Sequence, residues 1–193
     1  MTSTVPNTTT LTVPTLSGGT WSADAIHSDV SFKVRHMAVG KAKGTFALQS
    51  ATLVVGDNGL ADATVTAVID AASVDTKQDQ RNEHVKSPDF LDVENHPTLT
   101  FVSTSVRDLG GEEFVLVGGL TIRGTTQQVE LAVEYLGETV DAYGSTRAGF
   151  SATTSISRKA YGVSFEAAFG AGNAVVADKV EIALELEFVK DAG

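Results

Sequence analysis

From Val180 to Phe188 apolar and acidic residues take turns: Val180, Ile182, Leu184, Leu186 and Phe188 share one side, with Glu181, Glu185 and Glu187 on the other. Successive side chains of a strand point to opposite faces, so this is a strand with one dry face. The alternation recurs at Val129, Leu131, Val133 and Tyr135, with Gln128, Glu130 and Glu134 opposite. A chain of such strands must cover a whole sheet face. It can stack two sheets or curl one sheet shut.

Further strands are expected at Val30–His36, Gly44–Val55, Ala61–Ile69, Thr98–Val106, Phe114–Leu120 and Arg147–Ile156. Turn signals separate them at Gly56-Asp57-Asn58-Gly59, at Asp108-Leu109-Gly110-Gly111 and from Gly137 through Tyr143. Several runs exceed the usual strand length, which suits tilted strands in a tall barrel. Glycines inside the patterns, at Gly118-Gly119, Gly124 and Gly149, supply bends or bulges that let a sheet close. The expectation is an all-β fold of about eight antiparallel strands closed into a single barrel.

One segment breaks the pattern. Between Ser73 and Phe101, Asp75, Asp79, Arg81, Glu83, His84 and Lys86 crowd together, too many charges for a half-buried strand. It reads as a short helical excursion near residues 75–92 at one end of the sheet. A connection this long in a β protein packs or functions.

A length of 193 residues fits one domain, with a tail over 1–18 and a barrel over 19–190. The tail is Thr-rich, with room for an edge strand from Thr9 to Pro14. The formal charge of -10, with no run of Lys and Arg, argues against nucleic acid or an anionic membrane surface as partner. Stable membrane insertion is not expected, since no long apolar span occurs. Absence of cysteine removes disulfides, thiolate catalysis and Cys-based metal sites. Residues Met1 to Gly19 lack the charged and apolar regions of a secretory signal, so a cytoplasmic protein is expected unless a leader has been removed.

Phe32, Phe46, Phe90, Phe101, Phe150, Phe165 and Phe169 lie in or beside the expected strands and the excursion. They either fill a core or line a tunnel for an apolar chain. The four histidines, His27, His36, His84 and His96, match no recognised metal-ligand spacing, and no metal is expected. His27 and His96 read as structural. His36 and His84 suit polar positions at a cavity entrance. Arg81 with Asp79 and Glu83, and Arg158 with Lys159, read equally as surface ion clusters or as groups that meet a headgroup. No Gly-x-Ser-x-Gly elbow or phosphate-cradling loop occurs, and no catalytic residue or cofactor is assigned.

Four ordered blocks resemble the YceI-like family. They are Ile26-His27-Ser28-Asp29-Val30-Ser31-Phe32 to His36-Met37; Arg81-Asn82-Glu83-His84-Val85-Lys86-Ser87-Pro88-Asp89-Phe90-Leu91-Asp92 with His96-Pro97 and Phe101; Gly119-Leu120-Thr121-Ile122-Arg123-Gly124-Thr125-Thr126; and Arg147-Ala148-Gly149-Phe150 through Arg158 and Gly162. The resemblance covers the chain from about Trp21 to Phe188. Two departures stand out: Asn82 replaces a usual Asp, and Lys159-Ala160-Tyr161-Gly162 replaces x-D-F-G.

The resemblance implies an eight-stranded, lipocalin-like barrel that binds a long isoprenoid lipid or quinone. Family members often look dimeric, so a homodimer is expected as possible. The residues then expected to meet ligand are Phe32, Val34, His36, Phe46, Phe101, Leu120 and Phe150 along the barrel, with Arg81, His84, Phe90 and Arg158 towards its mouth. Sequestration or transport is the leading role, with headgroup contacts at Arg81, His84 and Lys86. Two others stand beside it: cyclisation or isomerisation of a polyene with His36 or His84 as acid, and a ligand-free, stress-linked structural protein.

Overall fold

The structure, a computed structural model, describes residues 15–37, 39–169 and 173–192. The expected edge strand at Thr9–Pro14 lies outside them. In chain order come β1 (Gly19–Ala23), β2 (Asp29–His36), β3 (Gly40–Phe46), β4 (Leu48–Gly56) and β5 (Gly59–Asp70). After the α-helix α1 (Asp79–Lys86) follow β6 (Thr98–Gly110), β7 (Glu113–Ile122), β8 (Thr125–Val140) and β9 (Thr146–Ser157). Two-residue strands β10 (Ala168–Phe169) and β11 (Asn173–Ala174) pair with each other before the last strand, β12 (Val176–Lys190).

The sheet closes because two barrel strands are bent rather than straight. β1 and β2 are halves of one strand broken at residues 24–28. β1 pairs with β4 and the end of β12, β2 with β3 and the start of β12. β3 and β4 are halves of the next strand, bent at Ala47. There the Ala47 N–H donates to Ser73 Oγ at 2.7 Å and its carbonyl accepts the Asp70 N–H at 3.1 Å, so the bend strands no backbone group. Counted this way, eight antiparallel strands circle the barrel, and β12 returns to the first.

The alternation seen in the sequence becomes inside and outside. Val129, Leu131, Val133 and Tyr135 are buried, while Gln128, Glu130 and Glu134 are exposed. Register slips between Ser103 and Ser105 opposite Gly118, and between Tyr135 and Gly137 opposite Phe150 and Gly149, so these glycines do sit at bulges. Gly124 does not. With Arg123 it forms the two-residue turn between β7 and β8, both residues at positive φ (50° and 73°), the twist a tight hairpin needs. The turn expected from Gly137 starts later. The bulge at Leu136 lets the ladder resume to Val140, and Asp141 then collects the N–H groups of Tyr143 and Ser145.

One end of the barrel is plugged. Trp21 is fully buried there, and Tyr135, Phe150 and Phe188 stack in sequence with centroids 5.3 and 5.9 Å apart. Residues 15–18, assigned from sequence to the tail, belong to this plug. Leu16 is 4% exposed, Ser17 binds Glu138 through its N–H (2.9 Å) and hydroxyl (2.6 Å), and the Ser17 carbonyl accepts the Trp21 indole N–H. An apolar anchor and a capped carboxylate are what the composition of a Thr-rich stretch concealed.

Candidate functional site

The barrel is hollow. A cavity of about 440 Å³ runs inside it, within the range of small-molecule sites. Its walls are the dry faces of the strands, including Val180, Ile182, Leu184, Leu186 and Phe188 of β12. Ser31 and Thr154 aside, the polar lining residues are His36, Thr76, Arg81, His84, Arg158 and Tyr161. All six belong to the end opposite the plug, where α1, the β2–β3 tip and the segment after β9 meet. The cavity therefore has an apolar length and one polar mouth.

Eleven of the residues that the sequence nominated border this cavity, and Lys86 does not: Phe32, Val34 and His36 on β2, Phe46 on β3, Phe101 on β6, Leu120 on β7, Phe150 on β9, Arg81 and His84 on α1, Phe90 after it, and Arg158 after β9. Phe165 joins them; the Phe169 side chain is outside the described residues. Two glycines keep the lumen open. A Cβ on Gly44 would lie 2.5 Å from Phe32 Cζ, and one on Gly118 would lie 2.5 Å from Phe101 Cζ. Each ring rests where a side chain would otherwise stand, so it lies along the wall.

The mouth is covered by α1, which has no buried residue. Gln78 caps its first turn, Asp79 complements the positive end of the helix dipole, and His84 and Lys86 the negative end. Ser87-Pro88 stops it. The lid is pinned to the opposite rim by three rings: His84 meets Phe90 and Phe165 edge-on at 5.0 and 4.9 Å, and Phe90 and Phe165 are 5.1 Å apart. Arg123 adds a brace, its Nη1 donating to the carbonyls of Phe90 and Gly162.

The expected ion clusters are rearranged. Arg81 pairs with neither Asp79 nor Glu83; its Nε donates to Thr76 Oγ1 (2.8 Å) and its Nη2 to the Thr76 carbonyl (2.7 Å). Helix geometry turns Glu83 to Lys86 instead, at 3.0 Å, and takes Lys86 off the cavity wall. Lys159 pairs with Glu166, whose carboxyl it pulls below its ordinary range. Arg158 is 5% exposed and spends its guanidinium on three carbonyls: Ala177 (3.0 Å), Val163 (2.7 Å) and Val176 (3.1 Å).

Asn82, the first departure from the family pattern, has a clear task. Its Oδ1 accepts from the Thr76 N–H and hydroxyl at 2.7 and 2.6 Å, and its Nδ2 donates to Asp75 Oδ1 at 3.3 Å. A carboxylate here would face Asp75 as a like charge; the amide donates to it. Asp75 in turn exchanges both backbone hydrogen bonds with Thr45 of β3, at 3.0 Å each, tying the lid's root to the barrel.

The second departure, Tyr161, is 2% exposed, and its hydroxyl has no hydrogen-bond partner among the described residues. Burial pushes the phenol up to about 12, so it stays protonated at neutral pH. Sequence reasoning marked Tyr161 only as a departure and missed Thr76 altogether. The signal for Tyr161 was there, a hydroxyl added where the pattern has an apolar ring.

Hydrogen bonds from Lys77 and Asn82 hold the Asp75 carboxyl down, from 3.8 to about 2. A depressed carboxylate stabilises the fold above its ordinary value and loses that contribution as pH falls through the folded one. The expected result is a loss of amide-exchange protection, relative to the free amide at each pH, at Thr45 and Asp75 as pH falls from about 4 to 2. In Asp75→Asn that step should be missing; if it persists, the anchoring role is wrong.

Asp24, His27 and Glu187, at the far end of the barrel, also converge within metal-ligand distance of one another. Arg147 already occupies them. Its guanidinium pairs with Asp24 (2.9 Å), Asp141 (2.6 Å) and Glu187, holding Asp24 well below the usual carboxylate range and lowering Asp141 too. A cation there would face the guanidinium's like charge. The cluster staples the break in the first barrel strand to β12 and the β8–β9 turn.

The YceI-like domain matches residues 21–188. A UPF0312 protein of Staphylococcus epidermidis is 32% identical over 169 residues, 87% of this chain and 96% of its own. One from Vibrio vulnificus is 36% identical over 128 residues, 66% of this chain and 68% of its own. Among solved structures, Burkholderia cenocepacia BcnA superposes with a TM-score of 0.70 at 26% identity, covering 86% of this chain and 98% of that one. A polyisoprenoid binding domain from Saccharophagus degradans superposes at 0.61 with 18% identity, covering 89% and 98%, which speaks to the fold.

Proposed function

This chain belongs to the YceI-like family, and on that premise we propose that its barrel takes up the tail of a long amphiphile and holds the headgroup at the mouth. The class that fits is a polyisoprenoid or an isoprenoid quinone. The observation that carries this reading is the cavity itself: apolar along its length, polar at one end, and closed at the other by packed aromatic rings. Each methylene moved from water into such a space contributes about 0.8 kcal/mol. Ordering the chain offsets part of that gain. The Saccharophagus structure, described as a polyisoprenoid binding domain, is consistent with that ligand class.

The role is binding and carriage rather than chemistry. His84 Nε2 is engaged by Asp89 at 2.9 Å and its ring is wedged between two phenylalanines, an arrangement suited to holding a lid. The open cavity speaks against a fully packed structural barrel. Native mass spectrometry of protein purified without detergent, repeated after organic extraction, tests the proposal. A non-covalent adduct of lipid mass that leaves on extraction supports it. A bare protein that also fails to take up added isoprenoid quinone overturns it.

Tyr161 gives a sharper check. Leaving a buried hydroxyl unpaired costs about 1–3 kcal/mol. Tyr161→Phe is expected to raise the melting temperature of the empty protein by a few degrees, at about 2–4 °C per kcal/mol. It should weaken a ligand whose headgroup reaches the phenol by about five- to tenfold, as one neutral hydrogen bond is lost. A variant more stable and equally tight would place the headgroup elsewhere.

A further inference from the structure

Between Val30 and Gly56 there is no Asp or Glu, in a chain that holds 24 of them. Inside that window, residues 33 to 43 carry four of the chain's 14 Lys and Arg. The β2–β3 hairpin pairs them directly, Lys33 opposite Lys43 and Arg35 opposite Lys41. Strand alternation puts all four on the face away from the cavity, since Phe32, Val34, His36 and Ala42 line it. Glu181 of β12, 3.8 Å from Lys41, offsets only part of this charge. The net charge of -10 concealed the patch, because it sums over the whole chain, whereas pairing β2 with β3 sets these four cations side by side.

Two further facts narrow its use. Like charges directly opposite on a sheet oppose its stability, so this pairing weakens the hairpin it sits on. And the tip is apolar: Val39 is 94% exposed and Met37 38% exposed. The tip stands at the cavity mouth, where the Met37 N–H donates to the Val175 carbonyl and Val175 lines the cavity.

We propose that the β2–β3 hairpin docks on an anionic lipid bilayer, with Lys33, Arg35, Lys41 and Lys43 facing the headgroups and Val39 and Met37 entering the interface. Basic residues beside apolar ones are the composition of an interfacial anchor. Nucleic acid or an acidic protein would use the cations but leave the apolar tip without a role. Among the described residues no helix is long and apolar enough to cross a membrane. Docking here brings the mouth of the cavity to the bilayer, although the docking itself does not depend on what the cavity holds.

Co-sedimentation with vesicles tests this. The protein should bind vesicles of equal parts phosphatidylcholine and phosphatidylglycerol, not pure phosphatidylcholine, and release at high salt. Lys41→Glu with Lys43→Glu turns two repulsive cross-strand pairs into attractive ones, which offsets the loss of the Lys41–Glu181 contact, so the hairpin keeps its stability while binding falls about thirtyfold or more. Val39→Ser, which removes the apolar side chain without adding charge, should weaken vesicle binding and leave binding to heparin or duplex DNA unchanged. No binding to anionic vesicles, or binding indifferent to the Lys changes, overturns the proposal. Heparin or DNA bound more tightly than vesicles, with Val39→Ser neutral to both, would assign the patch to another polyanion.

Discussion

Arg158→Ala is expected to destabilise the protein by about 3–5 kcal/mol: three hydrogen bonds from a charged donor, each worth about 1.5–3 kcal/mol, are lost, and the desolvation cost of the buried guanidinium, no longer incurred, offsets part of that loss. At about 2–4 °C per kcal/mol the melting temperature should fall by roughly 10 °C. The guanidinium reaches the carbonyls of Val163, Val176 and Ala177, which join the turn after β9 to the start of β12. It is the splint between the rim and the last strand. Arg158→Lys should recover little, since one ammonium cannot reach three carbonyls spread across a planar fork. Thermal unfolding of both variants measures the loss, and amide exchange over residues 158–177 locates it. A loss under about 1 kcal/mol for the alanine variant would show that the carbonyls find water instead.

The second large effect is on capacity. Ala152 lies on the cavity wall midway along β9, opposite Leu184 of β12 and Val133 of β8. Ala152→Phe projects a ring into the lumen. In a packed core that insertion would cost about 1–3 kcal/mol, but here open space receives the ring, so stability should change by less than about 1 kcal/mol. A chain threading the barrel loses its path, and uptake of a fluorescent isoprenoid quinone analogue should fall by about a hundredfold. Unchanged uptake by a folded variant would place the ligand outside the barrel. Leu120→Trp, on the β7 wall nearer the mouth, serves as the independent repeat.

Much of this was legible in the residues, for a reason that particular strands make plain. β8 and β12 are long enough to repeat their alternation several times, so Val129 to Tyr135 and Val180 to Phe188 announce one wet and one dry face. β1 was not legible: Trp21 is its single buried residue, and five residues cannot display a period. The bend at Ala47 was hidden too, since what allows it is Ser73 and Asp70, distant in sequence. The cavity residues could be nominated, but their partners could not. Arg81 had nearby acids to pair with and took a buried threonine instead. Charge summed over the chain likewise misread the hairpin, because a sum carries no geometry.

The last strand has a consequence for how the protein comes into being. β12 is bonded to β9 along most of its length, to β2 over its first part and to β1 at its end, where Lys190 pairs with Trp21. No smaller set of strands closes the ring. On a ribosome, β2 must wait for a partner some 150 residues downstream, a span over which loop closure is slow. Through that interval β9 and β2 each offer an unpaired edge, the template on which sheets join between molecules. Until β12 is made the ring stays open, and its arrival removes both exposed edges at once.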